Sequence, residues 1–155
     1  MMTATSNDNA LPTAAAATRE AGSLDVQALY ERYADTFATR DTKRIGALHA
    51  EDGTFWLHTD QGPIRGRSAI EEAFAQTFAT WPNLRFEENR TLFGPDFWVL
   101  DWALFADFNE QTVTFQLTDT VTLDDEGLVV RKDTWVDSAQ VTKALGSLTP
   151  DGDAT

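Results

Sequence analysis

Asp119 is the one carboxyl in a row of apolar side chains. Across Thr112 to Leu123, the two-residue period of a strand puts Val113, Phe115, Leu117, Asp119, Val121 and Leu123 on one face. Thr112, Thr114, Gln116, Thr118, Thr120 and Thr122 take the other. An ionised carboxylate in such a row is costly to desolvate unless it is paired. A neutral carboxylic acid there could donate a hydrogen bond to an oxygen that is gaining negative charge. The plainer alternative is an Asp near a strand end, bonded to backbone or to an Arg. Asp101 repeats the pattern, sharing a face with Phe97, Val99, Ala103 and Phe105. Its candidate partners are Asp119, Arg85 and Arg90. Trp98, Leu100, Trp102 and Leu104 form the other face of that strand, so both of its sides call for cover: one a pocket, the other a subunit interface.

Tyr33 falls on the apolar stripe of a helix, where a buried phenol needs a partner for its hydroxyl; Tyr30 reads as core. His49 and His58 are the only histidines. His49 reads as a solvated residue near a helix end. His58, at the end of a strand, stands where a general base could act. Two such separated histidines make no metal site. Asp133 shares a face with Arg131 as a surface charge pair, and Asp137 reads as a helix cap.

The elements that must position these groups read as follows. Residues 1–22 form a tail expected to be disordered, rich in Ala, Thr, Asn and Ser. Ser23 is a candidate cap for a helix from Leu24 to Thr39, with Val26, Leu29, Tyr30, Tyr33 and Phe37 at helical spacing. Asp41 caps a second helix carrying Ile45 and Leu48, which Gly53 ends. Thr54 to His58 is a short strand, followed by a turn at Gln61-Gly62-Pro63. The capping box Ser68-Ala69-Ile70-Glu71 opens a third helix that Trp81-Pro82 closes. Four strands follow, Leu84–Phe93, Phe97–Phe105, Thr112–Leu123 and Leu128–Val136, then a short helix from Asp137 through Leu145. The folded domain spans 23–146, and 147–155 is read as a flexible tail. Helices first and a meander after them is an α+β arrangement, in which a curved antiparallel sheet wraps helices on one side and leaves a cavity between.

Five Trp and ten Phe in 155 residues suit a packed core or a cavity for an apolar ligand. A formal net charge of −13 repels nucleic acid, and no Lys/Arg cluster offsets it. No window is apolar enough to span a membrane, and the N-terminus lacks the order of a signal peptide, so a cytoplasmic location is expected. Without Cys there is no disulfide or thiolate site. Nor is there a phosphate loop or dinucleotide fingerprint, so no cofactor is expected.

In the order of its elements the chain resembles the nuclear transport factor two-like superfamily, which includes ketosteroid isomerases and SnoaL-like polyketide cyclases. The resemblance covers about Leu24 to Gly146. It rests on Tyr33, on Ala47-Leu48-His49-Ala50-Glu51-Asp52-Gly53-Thr54-Phe55, on Gly66-Arg67-Ser68-Ala69-Ile70 and on Trp135-Val136-Asp137. It implies a cone-shaped barrel of three N-terminal helices on a curved, mostly antiparallel sheet, often dimeric through that sheet. It also implies an oxyanion-hole pair at Tyr33 and Asp119. The ketosteroid isomerase base falls on Leu57, which leaves Asp101 and His58 as candidate proton carriers. In limonene epoxide hydrolases one Asp of an Asp-Arg-Asp set falls on Thr134. The function expected is acid/base chemistry of isomerase, cyclase or dehydratase type on a small apolar carbonyl or polyketide-like molecule. That molecule would be held by Phe55, Leu57, Trp81, Phe105, Phe115, Leu117 and Trp135. The alternatives are a non-catalytic ligand-binding or dimerising domain, or a protein-interaction role with the pocket plugged by Phe and Trp. An acid/base enzyme predicts that Asp119→Ala removes turnover and leaves the fold intact.

Overall fold

The computed structural model of the chain describes residues 23–59 and 61–148; the tail readings for 1–22 and 149–155 lie outside them. Helix α1 is Val26–Ala38, α2 Thr42–Gly46, α3 Arg67–Thr80 and α4 Ser138–Gly146. The strands are β1 His49–His58, β2 Ile64–Arg65, β3 Arg85–Phe93, β4 Phe97–Phe108, β5 Gln111–Leu123 and β6 Val129–Val136. They form one open sheet in the order β2-β1-β6-β5-β4-β3. Every pairing is antiparallel except β1 with β6. The fold is α+β, with helices packed on a mostly antiparallel sheet that does not close on itself. Among the described residues no helix is long and apolar enough to cross a membrane.

Side-chain caps explain three of the four helix starts among the described residues. Asp25, Asp41 and Asp137 each accept a hydrogen bond from a backbone N–H in the first turn of α1, α2 and α4. The cap of α1 is thus Asp25 rather than Ser23. The expected capping box of α3 does not form. Gly66, at φ 90°, precedes Arg67 as a cap without a side-chain bond. The Arg67 guanidinium instead donates twice to the His49 carbonyl, at 3.1 and 2.7 Å, tying α3 to β1.

The largest departure is β1. Its first half, read from sequence as a helix ending at Gly53, is strand from His49 onward. A register shift between His49 and Thr54 breaks the alternation there, which hid the strand. Gly53 sits in that irregularity, where a Cβ would lie 3.0 Å from the Ala50 carbonyl and 3.2 Å from that of Val129. The described chain continues past α4 to Leu148, which packs against the core.

Register settles which face looks inward. Leu100 pairs with Asp119, and Asp119 with Thr134, so these share one side of the sheet. Asp101 pairs with Thr118 and belongs to the other. Trp98, Leu100, Trp102 and Leu104 therefore face the helices together with Phe115, Leu117 and Val121, and all of them are buried. The Phe97–Phe105 row faces outward.

Candidate functional site

A cavity of about 200 Å³ lies between the inward sheet face and helices α1 and α3. Its wall includes Phe37, Phe55, Phe74, Trp98, Trp102 and Phe115. It exceeds the roughly 150 Å³ void that accommodates benzene in a protein core, so a substituted ring fits. The aromatic side chains frame the space and do not plug it. Leu57 and Thr59, both exposed, belong to the wall at the end of β1 and mark its rim.

The charged residues in the wall, among the described residues, are Asp119 and Lys132. Both are buried, 4% and 5% exposed. The Lys132 ammonium donates to Asp119 Oδ2 at 2.5 Å, and Thr134 Oγ1 donates to Asp119 Oδ1 at 2.6 Å. Lys132 Nζ also lies 5.7 Å from the centre of the Tyr33 ring, within cation–π range. Both carboxylate oxygens thus accept hydrogen bonds, and the carboxyl expected to donate to a ligand is held instead as an ion-paired acceptor. Phe55 pairs with Lys132 and Leu57 with Thr134 across the parallel β1–β6 ladder, so the position implied for the base stands one strand beyond Thr134.

Tyr33 is in the wall as expected, but its hydroxyl meets His49 Nε2 at 2.9 Å rather than Asp119. His49, read from sequence as solvated, is fully buried. Burial, with Lys132 and Arg67 nearby, pushes its imidazole down to about 3, so it is neutral. Its Nδ1 has no hydrogen-bond partner. Burial, reinforced by the field of Asp119, raises the Tyr33 phenol well above its usual range. Tyr30 also lines the cavity; its hydroxyl donates to Glu88 at 2.6 Å, and burial with that bond pushes it up to about 12.

The remaining candidates stand elsewhere. Asp101 is on the outward face, bonded to Arg90 at 2.7 and 3.0 Å and to Thr118 at 2.9 Å. Those bonds, Arg90 foremost, hold its carboxyl below the usual range. His58 also faces outward, with its ring stacked between Trp56 and Trp135 at centroid distances of 4.2 and 4.4 Å. Its Nε2 meets Asp133 at 2.7 Å. Asp133 pairs with Arg131 as expected, but it is buried, not a surface charge. Burial pushes its carboxyl up, and Arg131 and His58 outweigh that and hold it low. Of the expected ligand-binding residues, Phe55, Leu57, Trp81, Phe115 and Leu117 line the cavity. Phe105 and Trp135 are on the outward face and do not.

Lys132 is a site residue that the sequence reading does not name, and Thr134 enters it only as the place of an epoxide hydrolase Asp, although both carry a signal. Val130, Lys132, Thr134 and Val136 alternate with Arg131, Asp133 and Trp135, as Asp119 alternates among its apolar neighbours.

A family model described as a SnoaL-like domain matches residues 30–132. No curated protein matches the chain. Several solved structures share its fold. One, from Jannaschia sp. CCS1, is assigned as a SnoaL-like polyketide cyclase; it is 17% identical with a TM-score of 0.70, covering 84% of this chain and 98% of that one. A protein of ketosteroid isomerase-like fold from Catenulispora acidiphila DSM 44928, solved with trimethylamine, is 16% identical with a TM-score of 0.68, covering 79% and 97%. SalBIII, an epoxide hydrolase/cyclase-like enzyme of pyran ring formation in salinomycin, is 17% identical with a TM-score of 0.65, covering 74% and 92%. At such identities the likeness is one of fold.

Proposed function

The chain belongs to the SnoaL-like domain family, within the nuclear transport factor two-like superfamily, and from that we propose that it performs acid/base chemistry of isomerase or cyclase type on a small, largely apolar carbonyl molecule. The observation that carries this reading is the buried Lys132–Asp119 pair in the wall of a largely apolar cavity whose other lining residues, among the described residues, are uncharged. A ring-sized molecule is bound by burial of its apolar surface. Its oxygen finds the Lys132 ammonium, whose remaining N–H bonds can stabilise developing negative charge. Asp119 is the proton acceptor beside it. Neither Asp101 nor His58 enters the scheme. The small-molecule ligands of the fold neighbours, such as trimethylamine in one of them, agree with a binding cavity here.

The test is hydrogen exchange α to a carbonyl. Cyclohexanone in D₂O should gain deuterium faster with the wild-type protein than with the Asp119→Leu/Lys132→Met double variant, read by mass spectrometry. Equal rates would overturn the reading. A second reading, ligand binding without turnover, draws on the bonds from Lys132 and Thr134 that already occupy both Asp119 oxygens. It predicts a bound ketone and no exchange. In either case we propose that two copies of the chain associate through the outward sheet face, where Leu92, Phe97 and Trp135 are exposed.

A further inference from the structure

We propose that Lys132 is a covalent site of this cavity, forming a protonated imine with a small apolar aldehyde or ketone while Asp119 serves as proton shuttle and counter-ion. The inference deepens the proposed acid/base reading and rests on the same cavity. Three observations lead to it. The Lys132 side chain is buried in the wall of a cavity whose lining is otherwise apolar apart from hydroxyls and Asp119, so among the described lining side chains it is the one amine that a bound carbonyl carbon can meet. Asp119 Oδ2, at 2.5 Å from Nζ, can take the ammonium proton internally and free the nitrogen lone pair without opening the site to water. Thr134 on the other oxygen fixes the carboxylate in that orientation.

The step balances without a co-reactant. The ammonium passes one proton to Asp119, and the Nζ lone pair attacks the carbonyl carbon, forming the C–N bond. The carbonyl oxygen collects two of the three original ammonium protons, through Asp119, and leaves as water. The third stays on nitrogen. The charge count is unchanged: a cationic imine N–H replaces the ammonium and still donates to Asp119 Oδ2. The buried ion pair therefore survives the reaction, and no lone charge is stranded in the apolar wall.

Two other lysines, Lys43 and Lys143, provide the internal control. Lys43 is exposed and pairs with Glu71 on the surface. The intact protein is incubated with benzaldehyde and sodium cyanoborohydride, and the resulting benzyl groups are mapped by peptide mass spectrometry. In parallel, binding of benzyl alcohol, which cannot form an imine, is followed by quenching of tryptophan emission. Trp81, Trp98 and Trp102 line the cavity and report its occupancy. The proposal expects benzylation at Lys132 roughly tenfold above Lys43 and Lys143. It expects competition by benzyl alcohol, and no cavity adduct in Lys132→Arg, which keeps the charge and cannot form the imine. Benzyl alcohol binding with labelling no greater at Lys132 than at the surface lysines overturns the imine and leaves the binding cavity standing. Failure of both ligands to bind overturns the cavity reading as well.

Discussion

Removing the Asp119 carboxylate alone strands the Lys132 ammonium in an apolar wall. Asp119→Ala should therefore cost about 3–5 kcal/mol of stability, read from urea unfolding. The Asp119→Leu/Lys132→Met double variant should recover most of that loss, since it removes both charges together. The expectation that Asp119→Ala would spare the fold is thus revised, and the double variant is the cleaner probe of turnover. His49 gives a second residue-scale outcome. Its folded value near 3 lies below the ordinary 6.5, so the unfolded chain binds a proton that the folded chain refuses. The stabilisation is fully present above about pH 6.5 and is lost as pH falls toward 3, on the order of several kcal/mol in all. His49→Gln should flatten urea midpoints between pH 6.5 and 4. A slope unchanged by that substitution would show that the buried imidazole is not its source. Asp119 was legible because it interrupts an apolar row. Its partner was equally legible on β6, but a lysine between an Arg and an Asp looks like an ordinary surface residue until its alternation is counted.

At the scale of elements, two of the four helix caps were readable because they are local, while the Ser23 cap and the Ser68–Glu71 capping box were not borne out. Asp41, Asp137 and the Trp81-Pro82 stop all work through neighbours within a few residues. What sequence missed needed partners far along the chain. The start of β1 breaks its own alternation at the shift before Thr54, and only its parallel pairing with β6 makes it a strand. Likewise, β4 is apolar on both faces, and the Leu100–Asp119 register decides which of them looks inward. Asp101, which the family resemblance offered as a proton carrier, stands on the outward face by that same register. The α3 entrance yields a specific expectation. Gly66 holds φ at 90°, a conformation that disfavours any side chain. Gly66→Ala should lower stability by roughly 1–2 kcal/mol, measured as a drop in the urea midpoint with an unchanged slope.

For the whole molecule, the outward face carries the Trp56–His58–Trp135 stack at one side and Phe97 and Leu92 toward the other. If copies pair there, sedimentation equilibrium should give a two-chain mass, and Trp135→Ala should raise the dissociation constant about tenfold or more. A single-chain mass for the wild type at micromolar concentration would rule the pairing out. The sheet order has a further consequence, one of timing. β6 is the last strand to be made, yet it occupies the middle of the sheet, between β1 and β5. As a nascent chain leaves the ribosome, β3, β4 and β5 can pair as a meander, while β1 has only the short β2 beside it. Asp119 stays without Lys132 and Thr134 through all of this. β6 is thus the strand that joins the two halves, supplies the missing cation and adds Lys132, Thr134 and Val136 to the cavity wall, and it can do so only after the other strands are made. Contacts as distant as His58 to Asp133 make that joining slow, and a chain halted before it exposes two strand edges to its neighbours.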